Sequence, residues 1–212
     1  MNFYGTSKGK QSIFHRWNTS SKVGDAIVPS AYDPTYITTL LGICDKYIRL
    51  STYILSLGSG CGITERSIRQ RFPSKFVVAT DPFFEACTMC REKGIMSLAC
   101  RAESLPFQNS CFDFILMDGV FGHLLALSVA RNAALGIRRV LKPGGIAVIA
   151  DDVAKSSLTE RNPRVPYTKV SDDFFITFWE QLSSCDITLY HHYYTKGTDG
   201  IISRRIGIVH FS

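Results

Sequence analysis

Tyr53-Ile54-Leu55-Ser56-Leu57 runs straight into Gly58-Ser59-Gly60-Cys61-Gly62, and this junction decides the fold. A short apolar run halted by glycines reads as a buried strand. Glycines at the turn let the backbone bend sharply and approach a ligand without interference from a side chain. A loop of this kind, at the carboxyl end of a strand, lies where open α/β sheets bind their ligands. The spacing is G-x-G-x-G. A dinucleotide fingerprint needs its third glycine one position later, where this chain has Ile63, so a pyrophosphate cradle is disfavoured. Taken alone, the loop is also compatible with a plain tight strand-to-helix turn.

Strand and helix signals alternate on the carboxyl side of the loop. Thr64 to Arg71 suits a helix, and Phe76-Val77-Val78-Ala79-Thr80 reads as a second strand ending at Asp81. A helix over Phe84 to Lys93 and a strand over Ile95 to Cys100 follow, then a strand over Phe112 to Met117. One helix is expected from about Leu124 to Leu141, broken by Pro143-Gly144-Gly145 ahead of a fifth strand, Ile146 to Ala150. A last helix spans Asp172 to Leu182. The strands Ile187 to Thr195 and Ile202 to Phe211 flank a short glycine-containing turn and so predict an antiparallel hairpin. Ahead of the loop, Tyr36, Ile37, Leu40, Leu41, Ile43, Cys44, Tyr47 and Ile48 keep helical spacing. Alternating β and α segments imply an α/β fold. The expectation is a Rossmann-like, mostly parallel seven-stranded sheet with helices on both faces and a C-terminal antiparallel hairpin.

A chain of 212 residues, 45% hydrophobic and 20% charged, supports one sizeable core. The expected division is an N-terminal cap and lead-in helix over 1–50 and the ligand-binding domain over 51–212. The net charge of +6 is moderate, and its basic residues are spread out rather than gathered into a run, which disfavours nucleic acid as a partner. Seven cysteines without a framework spacing, a polar Met1 to Lys10 and no run of about 20 apolar residues point to a cytoplasmic protein without a membrane span. Cys87 and Cys90 form a lone C-x-x-C inside an expected helix, and with no second pair a metal site is disfavoured. No feature of the sequence sets an oligomeric state.

Asp81 sharpens the reading of the glycine loop. An acidic side chain at the end of the second strand, about 20 residues beyond the glycines, can accept hydrogen bonds from both hydroxyls of a ribose. It can equally cap the next helix, a role that Asp81-Pro82 also suits. Three further segments accompany it: Ala102-Glu103-Ser104-Leu105-Pro106-Phe107, Phe112 to Gly119, and Arg139-Val140-Leu141-Lys142-Pro143-Gly144-Gly145. In this order and spacing the chain resembles the class I methyltransferases that use S-adenosylmethionine. By motif it is similar to the small-molecule branch that includes the ubiquinone and menaquinone C-methyltransferases. The resemblance runs from about Leu55 to Ile149 and, in element order, to the C-terminus.

The resemblance implies a role for each matching residue. Gly58, Ser59, Gly60 and Gly62 would wrap the methionine part of S-adenosylmethionine, and Asp81 would hold its ribose. Pro82 would lie against the adenine, and Ala102 and Glu103 would meet its edge. Met117 and Asp118 would close the pocket beside the sulfonium. Leu105-Pro106-Phe107, the Lys142 to Gly145 turn and Arg139 to Leu141 would be architectural. Many relatives have Glu-His where this chain has Gly122-His123, so the acid–base pair of those relatives lacks its glutamate here. His123 remains the catalytic candidate, since an imidazole accepts protons near neutral pH; its bland alternative is a packed histidine at a helix start.

The acceptor, expected to be a small molecule, must be recognised by the variable segments. Residues 1–36 hold Phe14, Trp17, Tyr32 and Tyr36, of which Trp17, Tyr32 and Tyr36 are the substrate candidates. Asp151 to Val170, with Asp151, Asp152, Arg161, Arg164 and Tyr167, is long and polar enough to form a lid. In Tyr190-His191-His192-Tyr193-Tyr194, strand alternation puts only half of the side chains on either face, which argues against a histidine metal pair. Two other readings compete: methyl transfer to RNA or a peptide, and a cofactor-binding protein of the same fold that transfers no methyl group.

Overall fold

The computed structural model describes residues 34–155, 159–161, 167–195 and 200–211. The first strand, β1 (Tyr53–Leu57), pairs in parallel with β2 (Phe76–Asp81) on one side and β4 (Phe112–Asp118) on the other. β3 (Met96–Ala99) extends the β2 edge, and β5 (Leu141–Asp152) continues beyond β4. β8 (Cys185–Thr195) and β9 (Ile201–Phe211) form the antiparallel hairpin, with β9 against β5. The order is β3-β2-β1-β4-β5-β9-β8, the expected seven-stranded Rossmann-like sheet. The chain leaves β1 toward one edge and returns through β4 toward the other. The crevice at the carboxyl ends of these two strands is thus the topological switch point.

Helices cover both faces because the central strands are apolar on both. On one face α1 (Pro34–Leu50) and α2 (Ile63–Arg71) set Tyr36, Leu40, Ile48 and Ile68 against Ile54, Phe114, Leu116, Val148 and Ile206. On the other, α4 (Phe121–Ala126), α5 (Ala130–Val140) and α6 (Asp172–Glu180) set Leu124, Ile137, Phe175 and Trp179 against Leu55, Leu57, Ile115, Met117 and Ile149. Strand alternation produces this partition: Ile54 and Leu55 point opposite ways, as do Leu116 and Met117. The expected lead-in helix is therefore built into the core of the sheet. α3 (Phe84–Glu92) joins β2 to β3 and buries Cys90 against Ala79 and Ile95.

The single helix expected from Leu124 to Leu141 is in fact α4 and α5. Ser128 adopts a left-handed φ of 60°, its N–H bonding to Leu125 O and that of Val129 to Leu124 O. This is a Schellman closure with serine where glycine is usual, so no glycine in the sequence marks the break. The Pro143-Gly144-Gly145 turn is a bulge inside β5: Phe112 faces Leu141, and Phe114 already faces Ile146.

The insertion also departs from a purely polar lid. Asp151 and Asp152 finish β5 and are buried, as is Tyr167. β6 (Thr159–Arg161) and β7 (Thr168–Val170) form a small antiparallel ribbon, tied to the end of β5 by a Val153–Val170 bridge. Arg164 lies outside the described residues, as do Phe14, Trp17 and Tyr32.

Candidate active site

The glycine loop is shaped by backbone that only glycine adopts freely. Gly58, Gly60 and Gly62 have φ of 68°, 52° and 76°. A Cβ on Gly58 would run into Val120 Cγ2 from the loop after β4, and one on Gly62 would lie 2.8 Å from Cys90 Sγ of α3. The loop is thereby squeezed between the segments that follow β4 and β2. The N–H groups of Gly58 and Ser59 donate to Thr80 O at 2.7 and 3.0 Å.

Asp81 braces the loop from β2. Its Oδ2 accepts from Gly60 N at 3.0 Å and its Oδ1 from Phe83 N at 2.9 Å, so it makes the helix-entry contact of its capping reading. A carboxylate has about four acceptor sites, which leaves two for a ligand. Burial pushes its pKa up to about 6 against the pull of these two backbone donors. Pro82 beside it is exposed; Ala102 and Glu103 are half-buried in the loop following β3, with Glu103 3.7 Å from Arg101.

At the end of β4 the two motif residues part. Met117 is buried in the hydrophobic cluster under α4 to α6. Asp118 points to the α1 face, where its Oδ1 accepts from Tyr36 Oη at 2.8 Å and from Arg204 Nη2. Its Oδ2 is buried and accepts no hydrogen bond from the described residues. Tyr36 is therefore brought to the carboxyl edge of the sheet beside Asp118, with its ring edge-on to His192 at 5.3 Å. Burial, together with the neighbouring Asp118 charge, lifts the Tyr36 phenol well above the usual tyrosine range.

Arg204 organises this edge, and nothing in the sequence reading singled it out. Wholly buried, it donates to Tyr36 Oη at 3.0 Å, Asp152 Oδ1 at 2.9 Å, Ala150 O at 3.2 Å and Asp118. Tyr194 Oη also donates to Asp152 Oδ1, at 2.8 Å. Burial alone would lower the Arg204 pKa, but the negative and phenolic groups around it raise it well above the usual value. On the opposite face Arg205 donates to Val170 O, Ser171 O and Asp172 Oδ1 at 3.2–3.3 Å and packs on the Phe175 ring at 4.1 Å. A usable signal existed: Arg204-Arg205 interrupts an apolar strand, and the β5–β9 register sets Asp152 against Arg204 and Asp151 against Arg205.

His123 lies in α4 with its ring 4.9 Å from that of Tyr167. The neighbouring Gly122 has a steric cause. A Cβ there would lie 2.6 Å from Tyr167 Cε2 and 2.7 Å from Thr168 O. Tyr167 in turn donates to Asp151, whose other oxygen takes Phe121 N at 2.9 Å. A glutamate at position 122 thus has no room, because the Tyr167 phenol and the first residue of β7 fill the space.

A cavity of about 420 Å³ at the opposite, amino edge of the sheet is lined by Tyr47, Asp113, Lys142 and His210. It lies away from this constellation, and the 2.7 Å Lys142–Asp113 ion pair gives it a structural base.

The carboxyl ends of β1, β2 and β4 thus bring together a glycine cradle, a braced acid and a second acid with an open oxygen. Residues 55–149 match a family model described as a methyltransferase domain. No curated protein matches the sequence. Among solved structures, the chain is similar to a Burkholderia thailandensis 1,6-didemethyltoxoflavin N1-methyltransferase holding 1,6-didemethyltoxoflavin and S-adenosylhomocysteine. That match has 15% identity and a TM-score of 0.67, over 85% of this chain and 80% of the other. An S-adenosylmethionine-dependent methyltransferase from Methanosarcina mazei matches at 16% identity and TM-score 0.64, over 80% and 96%. The cyclase SpnF matches at 13% and 0.68, over 85% and 82%. At such identities the structural likeness is one of fold. With the family match over residues 55–149, the likeness gives the domain the fold of the class I methyltransferases that use S-adenosylmethionine. No helix among the described residues is long and apolar enough to cross a membrane.

Proposed function

We propose that this chain methylates a small-molecule acceptor, with S-adenosylmethionine held at the carboxyl ends of β1, β2 and β4. The observation that carries the reading is the convergence there of three left-handed glycines, Asp81 and Asp118. The fit is chemical as well as spatial: the cofactor is cationic, and Asp118 offers a buried oxygen with no donor among the described residues. Gly58, Ser59, Gly60 and Gly62 would hold its methionine part and Asp81 its ribose through the two remaining acceptor sites. Pro82, Ala102 and Glu103 would border the adenine. Asp118 would sit by the sulfonium, with Met117 contributing only backbone on that side. When bound, the cofactor supplies a methyl group already activated on sulfur.

The chain's own task is then to position the acceptor and remove its proton. His123 is the group proposed to take that proton, with the Tyr167 ring fixing the imidazole plane. Tyr36, Trp17 and Tyr32 would complete the acceptor side. The small-molecule reading is supported by the acceptor-bound neighbour and by an aromatic rather than basic surround: Arg204 and Arg205, at this edge, are wholly buried. Free thiols at all seven cysteines suit the cytoplasm as its location. The cyclase among the similar folds keeps a second reading in play, cofactor binding without methyl transfer.

Incubation of the full chain with methyl-labelled S-adenosylmethionine and a metabolite extract tests these readings. Label is expected in the small-molecule fraction. Label in macromolecules would replace the acceptor class, and S-adenosylmethionine binding without any transfer would favour the second reading.

A further inference from the structure

Glu65 lies in the first turn of α2, just beyond the glycine loop, and only 2% of its surface is exposed. Its Oε1 accepts from the Ser56 hydroxyl of β1. Its Oε2 is buried and takes no hydrogen bond from the described residues. An unpaired carboxylate oxygen inside a protein is costly, and a neighbouring cation is the ordinary remedy. None is supplied. Among the described residues, the charges that act on Glu65 are Asp118 from β4 and Asp81 from β2, both of its own sign. Cys61 of the loop and Cys90 of α3 also feel its charge, while Tyr36 and Cys44 of α1 face Asp118. Arg204, which pairs with Asp118, is committed to Asp118, Asp152 and Tyr36.

Two buried acids with open oxygens, Glu65 Oε2 and Asp118 Oδ2, therefore share the sheet face over which the glycine loop closes. We infer that Glu65 receives the ammonium group of the cofactor's methionine part; this rests on the reading of the loop as an S-adenosylmethionine site. Glu65 and the cradle belong to one β1–loop–α2 unit, so a ligand end held by the loop passes beside both. Ser56 holds the carboxylate for that contact. Burial with two like charges nearby pushes the Glu65 carboxyl up to about 7, so in the ligand-free protein near neutral pH a proton occupies the group much of the time. Arrival of the ammonium favours the ionised form, and that proton leaves to solvent.

The test uses the full chain and two probes: S-adenosylhomocysteine, which has the ammonium but no sulfonium, and 5′-methylthioadenosine, which has neither. By calorimetry, Glu65→Gln should weaken S-adenosylhomocysteine about tenfold or more and leave 5′-methylthioadenosine within about twofold. Retained nucleoside binding shows that the variant is folded. Wild type measured in two buffers of different ionisation enthalpy, which needs no variant, should release protons with S-adenosylhomocysteine and none with 5′-methylthioadenosine. Equal effects of the variant on both probes, or no proton release, would overturn the assignment. An effect on S-adenosylmethionine but not on S-adenosylhomocysteine would place Glu65 at the sulfonium and overturn it too. If wild type binds neither probe, the cofactor-site reading itself fails and takes this inference with it.

Discussion

Replacing Arg204 with methionine removes the guanidinium and keeps much of the side-chain volume. The change leaves Asp118 and Asp152 buried without their cation and takes a donor from Tyr36. Breaking a buried ion pair by deleting one partner costs about 3–5 kcal/mol. For a chain of this size each kcal/mol moves the melting temperature by about 2–4 °C, so a loss of roughly 10 °C is expected. Against a total stability of about 5–15 kcal/mol the variant should still fold at 25 °C. Thermal and denaturant unfolding measure the loss. Adding Asp118→Asn to Arg204→Met should restore part of it, because the stranded charge is then gone. The cycle of the two substitutions should give a coupling above about 1 kcal/mol. S-adenosylhomocysteine affinity should also fall in the single variant, since Asp118 loses its anchor. A melting temperature within about 2 °C of wild type, or strictly additive substitutions, would refute the view that Arg204 holds this edge together.

His123→Ala should lower turnover about 100-fold with S-adenosylhomocysteine affinity unchanged, read by steady-state kinetics and calorimetry; undiminished turnover would leave His123 a packing residue. Gly122→Ala should cost about 1–3 kcal/mol through overlap with Tyr167 and Thr168 O, and combining it with Tyr167→Leu should recover part of that loss in thermal melts. Burial lifts Asp81 and Asp151 to about 6 and Glu65 to about 7, so the folded state binds more protons than the unfolded chain between their ordinary values and these. Stability of the ligand-free protein should therefore fall as pH rises from about 5 to about 8, and Glu65→Gln should flatten the upper part of that slope. Asp45 and Asp113 are shifted down instead, so their stabilisation is lost only in acid below about 4. A melting temperature that rose between pH 5 and 8 would contradict the assignment.

Much of the sheet was legible in the sequence because its strands are short apolar runs with glycine or acidic residues at their ends. The Gly58–Gly62 loop and Asp81 were readable for the same reason, as local patterns tied to backbone geometry. Ser128 was not, since serine takes the left-handed position here without the glycine that usually announces it. Met117 and Asp118 share one motif, and only strand alternation separates the core residue from the one at the edge. The Tyr36–Asp118–Arg204–Asp152–Tyr194 network joins residues up to 168 positions apart, and no local periodicity encodes it. Gly122 was noticed as a departure, but its cause lies in Tyr167, some 45 residues further along.

The opposed arginines of β9 also proofread the sheet as it assembles. Arg204 and Arg205 face opposite sides, and each hydrogen-bonds to groups on its own side. Sliding β9 by one residue exchanges its faces. In either direction one arginine lands in the other's place, while the second is carried away from its own acceptors. The slip would also put Ile206 or Ile208 where Gly207 sits, a position at which even a Cβ comes within 2.6 Å of the Phe175 ring. A misaligned C-terminal hairpin is thus disfavoured by one stranded charge and by volume at Gly207. The strand that closes the fold therefore has a single resting place, and that place is the one that aligns the acids of the active edge.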